Sequence, residues 1–231
     1  MKLYQFAAGM LVLFLICITP GFAHAEEETG FVSIFNGTDL SGWDGRPDAW
    51  RVEDGAITSD CDEANPCADT HYIFWTVDEP GDFILRLRYR LVGGNSGIQF
   101  RSERRGDYDV WGYQADFEDA TQWNGCLFQH DRGGVVMRGY RALLNEDGSR
   151  EEVQFADPDA LQAVVKEQEW NEYEITAIGQ YIQLKINDVL MCEVIDRDET
   201  MSREKGVIAL QMHVGTPMKV QFKDIRIKIL D

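Results

Sequence analysis

Basic residues are scarce in this chain of 231 residues, in which 22 lysines and arginines face 40 aspartates and glutamates. The formal net charge is −18. Nucleic acid and anionic membranes both need basic patches, so this imbalance argues against either as a partner. Cysteine and histidine show neither a C-x-x-C motif nor paired histidines, so zinc-ligand spacing is lacking. No internal repeat or low-complexity linker interrupts the chain, which favours one domain with one core.

The apolar run near the N-terminus, from Phe6 to Ile18, is short for a membrane span. Lys2 precedes it, and Ala23-His24-Ala25 follows it as an A-x-A cleavage site. This order predicts a signal peptide over residues 1–25 and a mature domain over residues 26–231. We therefore expect a secreted or periplasmic protein without a membrane span.

Four cysteines remain after the predicted cleavage site, and four cysteines allow three pairings. An even number in an oxidising compartment predicts disulfides. Cys61 and Cys67 flank a short loop with a turn-forming Asn-Pro, so they are the first predicted pair. Cys126 with Cys192 would follow only by elimination, and that pairing stays open.

Alternating apolar and polar residues recur along the chain and predict many short strands. In the strongest of these, the apolar residues from Phe83 to Leu91 face one way and the three interleaved arginines face the other. We expect those arginines to pair with acidic residues. Asp54-Gly55 and Asn187-Asp188 predict turns, and a bulge is expected near Lys223-Asp224. One short helix is predicted from Asp157 to Lys166. The pattern predicts an all-β sandwich or jelly roll.

The segment from Gly93 to Glu118 carries two aligned rows of polar side chains. Side chains alternate across a strand, so one face can enter the core while the other builds a site. The rows are Gln99 and Arg101 in the first strand, and Gln114, Asp116 and Glu118 in the second. An arginine, carboxylates and amides suit a hydroxylated, uncharged ligand such as a sugar. The alternative is that the rows are only the hydrated face of an antiparallel sheet.

A series of segments, in this order, resembles the 3-keto-disaccharide hydrolase family over essentially the whole mature chain. The segments are Phe35–Trp43, Trp50–Gly55, Asn95–Arg101, Gly112–Asp116, Trp170-Asn171, Leu210–His213 and Phe222–Ile227. The resemblance implies a concanavalin A-like jelly roll of two antiparallel sheets. It also implies activity on glycosides already oxidised to a ketone at carbon 3, with a small carbohydrate as the substrate. The departures are Asn187-Asp188 in place of an Asn-Gly turn and an insertion over residues 141–169, which could reshape the site.

The implied reaction removes the acidic proton on carbon 2, expels the group at carbon 1 and adds water. It needs a base, an acid and a stabiliser for the enolate oxygen. As a hypothesis, Asp116 and His213 are the acid–base partners, Arg101 and Asn95 polarise the ketone, and Gln99, Gln114 and Gln211 hold hydroxyls.

Other interpretations of these residues stay open. His213 could be a hydrogen-bonded residue at a strand end, and Asp116 could pair structurally with Arg101. No cofactor is certain, and a divalent cation at Asp116 is an alternative, although no ligand cluster with metal spacing occurs. Trp111 and Trp123 are expected to pack in the core rather than stack on sugars.

Three other functions fit the same fold. The first is a non-catalytic carbohydrate-binding module. The second is a retaining glucanase, which needs two carboxylates across the scissile bond, but the E-x-D-x-x-E signature is absent. The third is an interaction domain for surface assembly.

Overall fold

The computed structural model describes residues 29–215 and 217–230, so the predicted signal peptide lies outside the described residues. Within these ranges the chain forms seventeen strands and one helix. The strands are β1 (Val32–Ser33), β2 (Trp43–Asp44), β3 (Arg51–Glu53), β4 (Ala56–Cys61), β5 (His71–Trp75), β6 (Phe83–Val92), β7 (Asn95–Arg105), β8 (Asp109–Glu118), β9 (Leu127–Gln129), β10 (Gly133–Val136), β11 (Tyr140–Leu144), β12 (Arg150–Gln154), β13 (Asn171–Ile178), β14 (Tyr181–Ile186), β15 (Val189–Asp196), β16 (Val207–Met212) and β17 (Met218–Ile229). The prediction of an all-β protein is confirmed.

The strands form two sheets. The ten-stranded sheet has the order β12-β11-β15-β14-β13-β6-β17-β4-β3, with β1 also paired to β17. The seven-stranded sheet has the order β10-β9-β8-β7-β16-β5-β2. Among the described strands, β11 and β15 are the one parallel pair, at an edge of the larger sheet. The predicted sandwich of two antiparallel sheets is therefore confirmed apart from this pair, which joins β11, at the start of the insertion, to β15 outside it.

The core fills the space between the two sheets because each strand turns its apolar face inward. On β6, Phe83 and Leu85 are fully buried, whereas Arg86 and Arg88 face outward. Arg86 Nε donates to Glu174 at 2.6 Å, and Arg88 lies 3.7 Å from Asp224. The expected pairing with acidic residues is found at these two positions, whereas Arg90 donates to the Gln221 amide oxygen instead.

The predicted turns and the bulge occur where the sequence places them. Asp54 and Gly55 have φ angles of 50° and 75° and join β3 to β4. In β17 the register against β6 shifts between Lys223 and Arg226, and Asp224 has a φ of 52°. The bulge lets both halves of β17 bury apolar side chains although their sequence parity differs.

The predicted helix forms as α1 (Pro158–Gln162), with Asp157 as its cap, and ends four residues earlier than expected. The Asp157 carboxylate accepts a hydrogen bond from the Asp159 N–H at 3.1 Å, and Leu161 is buried. Among the described residues, no helix is long and apolar enough to cross a membrane.

No disulfide occurs in the part of the chain that the structure describes, so the predicted Cys61–Cys67 bond is absent. The Cys67 thiol instead donates a hydrogen bond to the Asp69 carbonyl, with a sulfur–oxygen distance of 3.1 Å. The buried Cys126 thiol accepts a hydrogen bond from the Arg138 N–H at 3.3 Å.

Candidate active site

A cleft of about 460 Å³ opens on the face of the seven-stranded sheet that points away from the core. Five neighbouring strands, in the order β9-β8-β7-β16-β5, build its floor. Its lining comprises Thr70, Tyr72, Asn95, Asp109, Gln114, Asp116, Glu118, Trp123, Phe128, His130, Gln211 and His213. Ile98, Ala115 and Leu210 alternate with these residues and are buried in the core between the sheets. Strand alternation alone therefore divides the central segments into a core face and a cleft face.

The strand register brings the polar side chains of the floor together. Gly97 on β7 lies opposite Asp116 on β8, and Leu210 on β16 lies opposite Ile98. The next position along β16 is Gln211, which therefore lies beside Gly97 on the side away from Asp116. The strand segments that carry Asp116 and Gln211 thus lie on either side of Gly97.

A chain of hydrogen bonds between side chains ends at Asp116. The Ser102 hydroxyl donates to Gln99 Oε1 at 2.8 Å, and Gln99 Nε2 donates to Gln114 Oε1 at 2.6 Å. Gln114 Nε2 then donates to Asp116 Oδ1 at 2.6 Å and to Gln211 Oε1 at 3.3 Å. Because an amide oxygen can only accept, Gln99 determines which end of the Gln114 amide faces Asp116.

Gly97 leaves the space that this arrangement needs. A Cβ atom at Gly97 would lie 2.5 Å from both Cγ and Cδ of Gln114. Contacts that short do not occur between real side chains, so the Gln114 amide lies where a larger residue would project. The glycine is required here by close approach rather than by backbone conformation.

Asp116 is a buried carboxyl group at the floor of the cleft, with 4% of its surface exposed. Its pKa is raised to about 8, chiefly by burial; the hydrogen bond from Gln114 opposes this effect, and the nearby Glu118 charge adds a smaller rise. Most of the Asp116 population therefore carries a proton at neutral pH. A carboxyl group in this state can donate a proton to a leaving oxygen.

His213 lies at the end of β16 and is half-buried in the lining of the same cleft. Its Nδ1 is 2.6 Å from the Val214 carbonyl oxygen. A carbonyl can only accept, so Nδ1 carries a hydrogen, and in this tautomer the lone pair is on Nε2. This tautomer equips His213 to accept a proton. The structure therefore brings together Asp116 and His213, the two predicted acid–base residues.

Arg101 lies outside this cleft, which corrects its predicted place beside the ketone. Its φ angle of 44° and the register shift after Phe100 reverse the alternation of β7. The guanidinium instead donates to Gly81 O at 2.9 Å, Gly179 O at 2.6 Å and Asp82 Oδ1 at 2.8 Å. Arg101 thus links a strand of one sheet to loops of the other, and Asp116 is not its partner.

Gln99 points toward the cleft side but lies beneath the surface, with no exposed area. Both ends of its amide are occupied by Ser102 and Gln114. The expectation that Gln99 holds substrate hydroxyls is therefore wrong, because both its amide oxygen and its amide nitrogen are already hydrogen-bonded to protein side chains. Asn95, Gln114 and Gln211 do line the cleft.

Sequence reasoning missed several residues of the lining. The Tyr72 hydroxyl accepts a hydrogen bond from Gln211 Nε2 at 2.9 Å, and burial raises its pKa, so the phenol keeps its proton. Trp123, expected in the core, is half-buried beside Phe128 and His130. The strand alternation of residues 71–75 could have indicated Tyr72, but no local signal placed the loop that carries Trp123. Trp111, in contrast, is buried as expected.

Among the described residues, no group of three or more His, Cys, Asp or Glu side chains is arranged to hold a metal ion.

The chain is thus a two-sheet jelly roll with a polar, partly aromatic cleft on the outer face of the smaller sheet. Residues 30–228 match the family model of the 3-keto-alpha-glucoside-1,2-lyase-like domain, and the chain belongs to this family. The resemblance drawn from the sequence is thereby confirmed, and family membership identifies a carbohydrate-active protein. No curated protein matches the chain significantly.

Solved structures with the same fold share little sequence with this chain. Two crystal structures of a putative glycosyl hydrolase from Parabacteroides distasonis ATCC 8503 superpose with TM-scores of 0.56 and 0.58, at 20% and 21% identity. Each alignment covers 87% of this chain, and they cover 95% and 99% of the respective relatives. The carbohydrate binding module CBM66 from Bacillus subtilis superposes with a TM-score of 0.54 at 14% identity, covering 83% of this chain and 98% of the module. These likenesses establish the fold alone.

Proposed function

We propose that the protein cleaves 3-keto-glycosides, including 3-keto-disaccharides, by elimination across carbons 1 and 2 followed by hydration. The observation that carries this proposal is the presence in one cleft of a buried carboxyl group with a raised pKa, Asp116, and of a histidine whose Nδ1 faces a carbonyl oxygen, His213. Membership of the family supports the substrate class. We further propose that the protein acts after export, as the sequence of residues 1–25 predicts.

Proton removal begins the proposed reaction. His213 Nε2 takes the proton from carbon 2, which the adjacent ketone has made acidic, and an enolate forms. The enolate oxygen needs a hydrogen-bond donor. Because Tyr72 accepts from Gln211, its own proton is available for this oxygen. Asn95 provides an amide donor in the same lining. Tyr72 takes the place that the sequence had suggested for Arg101, and Asn95 keeps the role suggested for it.

Loss of the leaving group completes the elimination. The carbon 3 ketone re-forms, a double bond forms between carbons 1 and 2, and the bond from carbon 1 to the leaving oxygen breaks. Asp116 donates its proton to that oxygen and becomes a carboxylate. Water then adds at carbon 1, giving a proton to Asp116, while His213 returns a proton to carbon 2. The net reaction is hydrolysis, and both residues regain their starting states.

The test is incubation of the purified mature protein with 3-keto-glucosides, with and without a chelator. We expect release of the leaving group and transient formation of the unsaturated 3-keto sugar. Asp116→Asn and His213→Ala should each abolish turnover while the circular dichroism spectrum is retained. Asp109→Asn, which changes an exposed carboxylate of the same lining, is the matched control and should keep activity.

Two results would contradict the proposal. Full activity in both variants would remove Asp116 and His213 from the mechanism. Binding of unoxidised glycan without any product from 3-keto substrates would instead identify a carbohydrate-binding module. Loss of activity with chelator, restored by a divalent cation, would add a metal to the site.

A further inference from the structure

The two sides of the cleft differ in chemistry because of the strand order. Tyr72 on β5 and Gln211 on β16 lie on one side of Asp116, and both are hydrogen-bonding groups. Phe128 on β9, with His130 and Trp123 next to that strand, lies on the other side. We call Trp123, Phe128 and His130 the aromatic wall. A sugar that presents a ketone and hydroxyls fits the polar side, which leaves the aromatic wall for whatever is attached to it.

The rings of the aromatic wall pack edge-to-face against one another and remain half-exposed. The centroids of Trp123 and Phe128 are 5.9 Å apart, and those of Phe128 and His130 are 5.7 Å apart. Apolar ring surface left open inside a concave site is characteristic of ligand recognition. Flat aromatic surfaces match the apolar face of another six-membered ring.

The loop that carries Trp123 is fixed in place rather than free to adapt. Glu118 accepts hydrogen bonds from the N–H groups of Gln122 and Trp123 at 2.8 and 2.9 Å. The buried Arg138 guanidinium donates to the carbonyls of Thr121 and Asn124 at 2.8 and 2.5 Å. A preorganised wall of this kind loses little entropy when a ligand ring packs on it.

We infer that the aromatic wall is the subsite for a six-membered ring attached at carbon 1, the leaving group of the proposed reaction. This inference rests on the proposed function and adds the substrate preference. The ring can be a second sugar or a phenol, since both present an apolar face. Leaving groups without a ring, such as methanol, would gain nothing from the aromatic wall. Arg138 acts here as a positioning residue, through the loop and not through contact with substrate.

The experiment compares Trp123→Ala with wild type on three substrates that share one 3-keto-glucosyl group. Their leaving groups are methanol, glucose and 4-nitrophenol. We expect KM to rise about tenfold for the ring-bearing substrates, which corresponds to about 1.4 kcal/mol of binding. KM for the methyl glycoside should change less than about twofold, and Trp123→Phe should restore most of the loss.

Trp170→Ala is the matched control, because Trp170 is a half-buried tryptophan that packs against Arg90 and Lys223 on the other sheet. It should change none of the three KM values. A rise for the glucosyl substrate alone identifies a sugar-binding subsite, and a rise for the nitrophenyl substrate alone identifies a phenol-binding subsite. An equal change for all three substrates overturns the inference while leaving the proposed function intact. Wild-type protein that releases product from none of them overturns the proposed function itself, and the inference with it.

Discussion

The side chain of Gln114 occupies the space that Gly97 leaves open on the neighbouring strand, where a Cβ would lie 2.5 Å from two of its carbons. The amide held in that space is the one that donates to Asp116 Oδ1 at 2.6 Å. The position of the hydrogen-bond donor to the Asp116 carboxyl group therefore depends on the lack of a side chain at Gly97, on the neighbouring strand.

Gly97→Ala should displace Gln114 and lower both stability and turnover. Overpacking of a tight site costs about 1–3 kcal/mol, and the loss of the Gln114 contact should lower kcat. Urea denaturation and steady-state kinetics measure the two effects. Gly81→Ala is the control, since its nearest contact would be an ordinary 3.4 Å. Unchanged kcat in a folded Gly97→Ala variant would argue against the role assigned to Gln114.

The amide chain predicts the pH dependence of activity. If protonated Asp116 is the acid, kcat/KM should fall as pH rises through about 8, because the raised pKa of Asp116 sets where the proton is lost. In Gln99→Leu the Gln114 amide loses the donor that fixes its orientation and can turn its oxygen toward the protonated carboxyl group. That contact favours the neutral form, so the alkaline limb should move to higher pH. If the alkaline limb of the kcat/KM profile lies at the same pH in the folded variant as in wild type, Gln99 does not control the orientation of the Gln114 amide.

Asp116 should also make the stability of the protein depend on pH. Its pKa is about 8 in the folded protein against 3.8 for an ordinary aspartate, so only the folded state holds the proton between these values. Stability contributed by this group is complete below about pH 4 and is lost as pH rises toward about 8, by about 1.4 kcal/mol per pH unit. Asp116→Asn should remove this slope and be more stable than wild type at pH 7. Parallel stability curves for the two proteins from pH 5 to pH 8, measured by urea denaturation, would contradict this.

Arg101 is expected to matter for stability and not for chemistry. Arg101→Met leaves the carbonyls of Gly81 and Gly179 without their donor and Asp82 without its ion pair, which should cost about 2–4 kcal/mol. The kcat/KM per folded molecule should stay near wild type. Arg105→Met removes an exposed arginine from the same strand, whose one described ring contact is with Trp111, and should change stability by less than about 1 kcal/mol. A selective loss of kcat in Arg101→Met would restore the original role beside the ketone.

Local patterns were sufficient for most of the strands, for the turns, and for placing Asp116 and Phe117 on opposite faces of β8. Alternation is a property of each strand by itself, so Gln114 and Asp116 could be assigned to one face without knowledge of the partner strand. The hairpin at Asp54-Gly55 and the bulge at Asp224 follow from residue types that tolerate positive φ. The hairpin of β11 and β12 was missed, because its mostly exposed residues lack a clear apolar face.

The sequence by itself determined the family, through the order of its motifs, and the all-β fold with the two faces of each strand, through strand periodicity. That Asp116, Gln211 and His213 lie in one cleft depends on the pairing of β16 with β7 and of β7 with β8. Tertiary structure alone decided three further features. The Arg101 side chain points away from the cleft because its own φ is positive. Burial raises the pKa of Asp116, and Trp123 lies on the side of the cleft opposite Tyr72 and Gln211. The physical reason is that periodicity is local. Burial, close approach and loop position depend instead on chain segments that are distant in sequence and become neighbours only on folding.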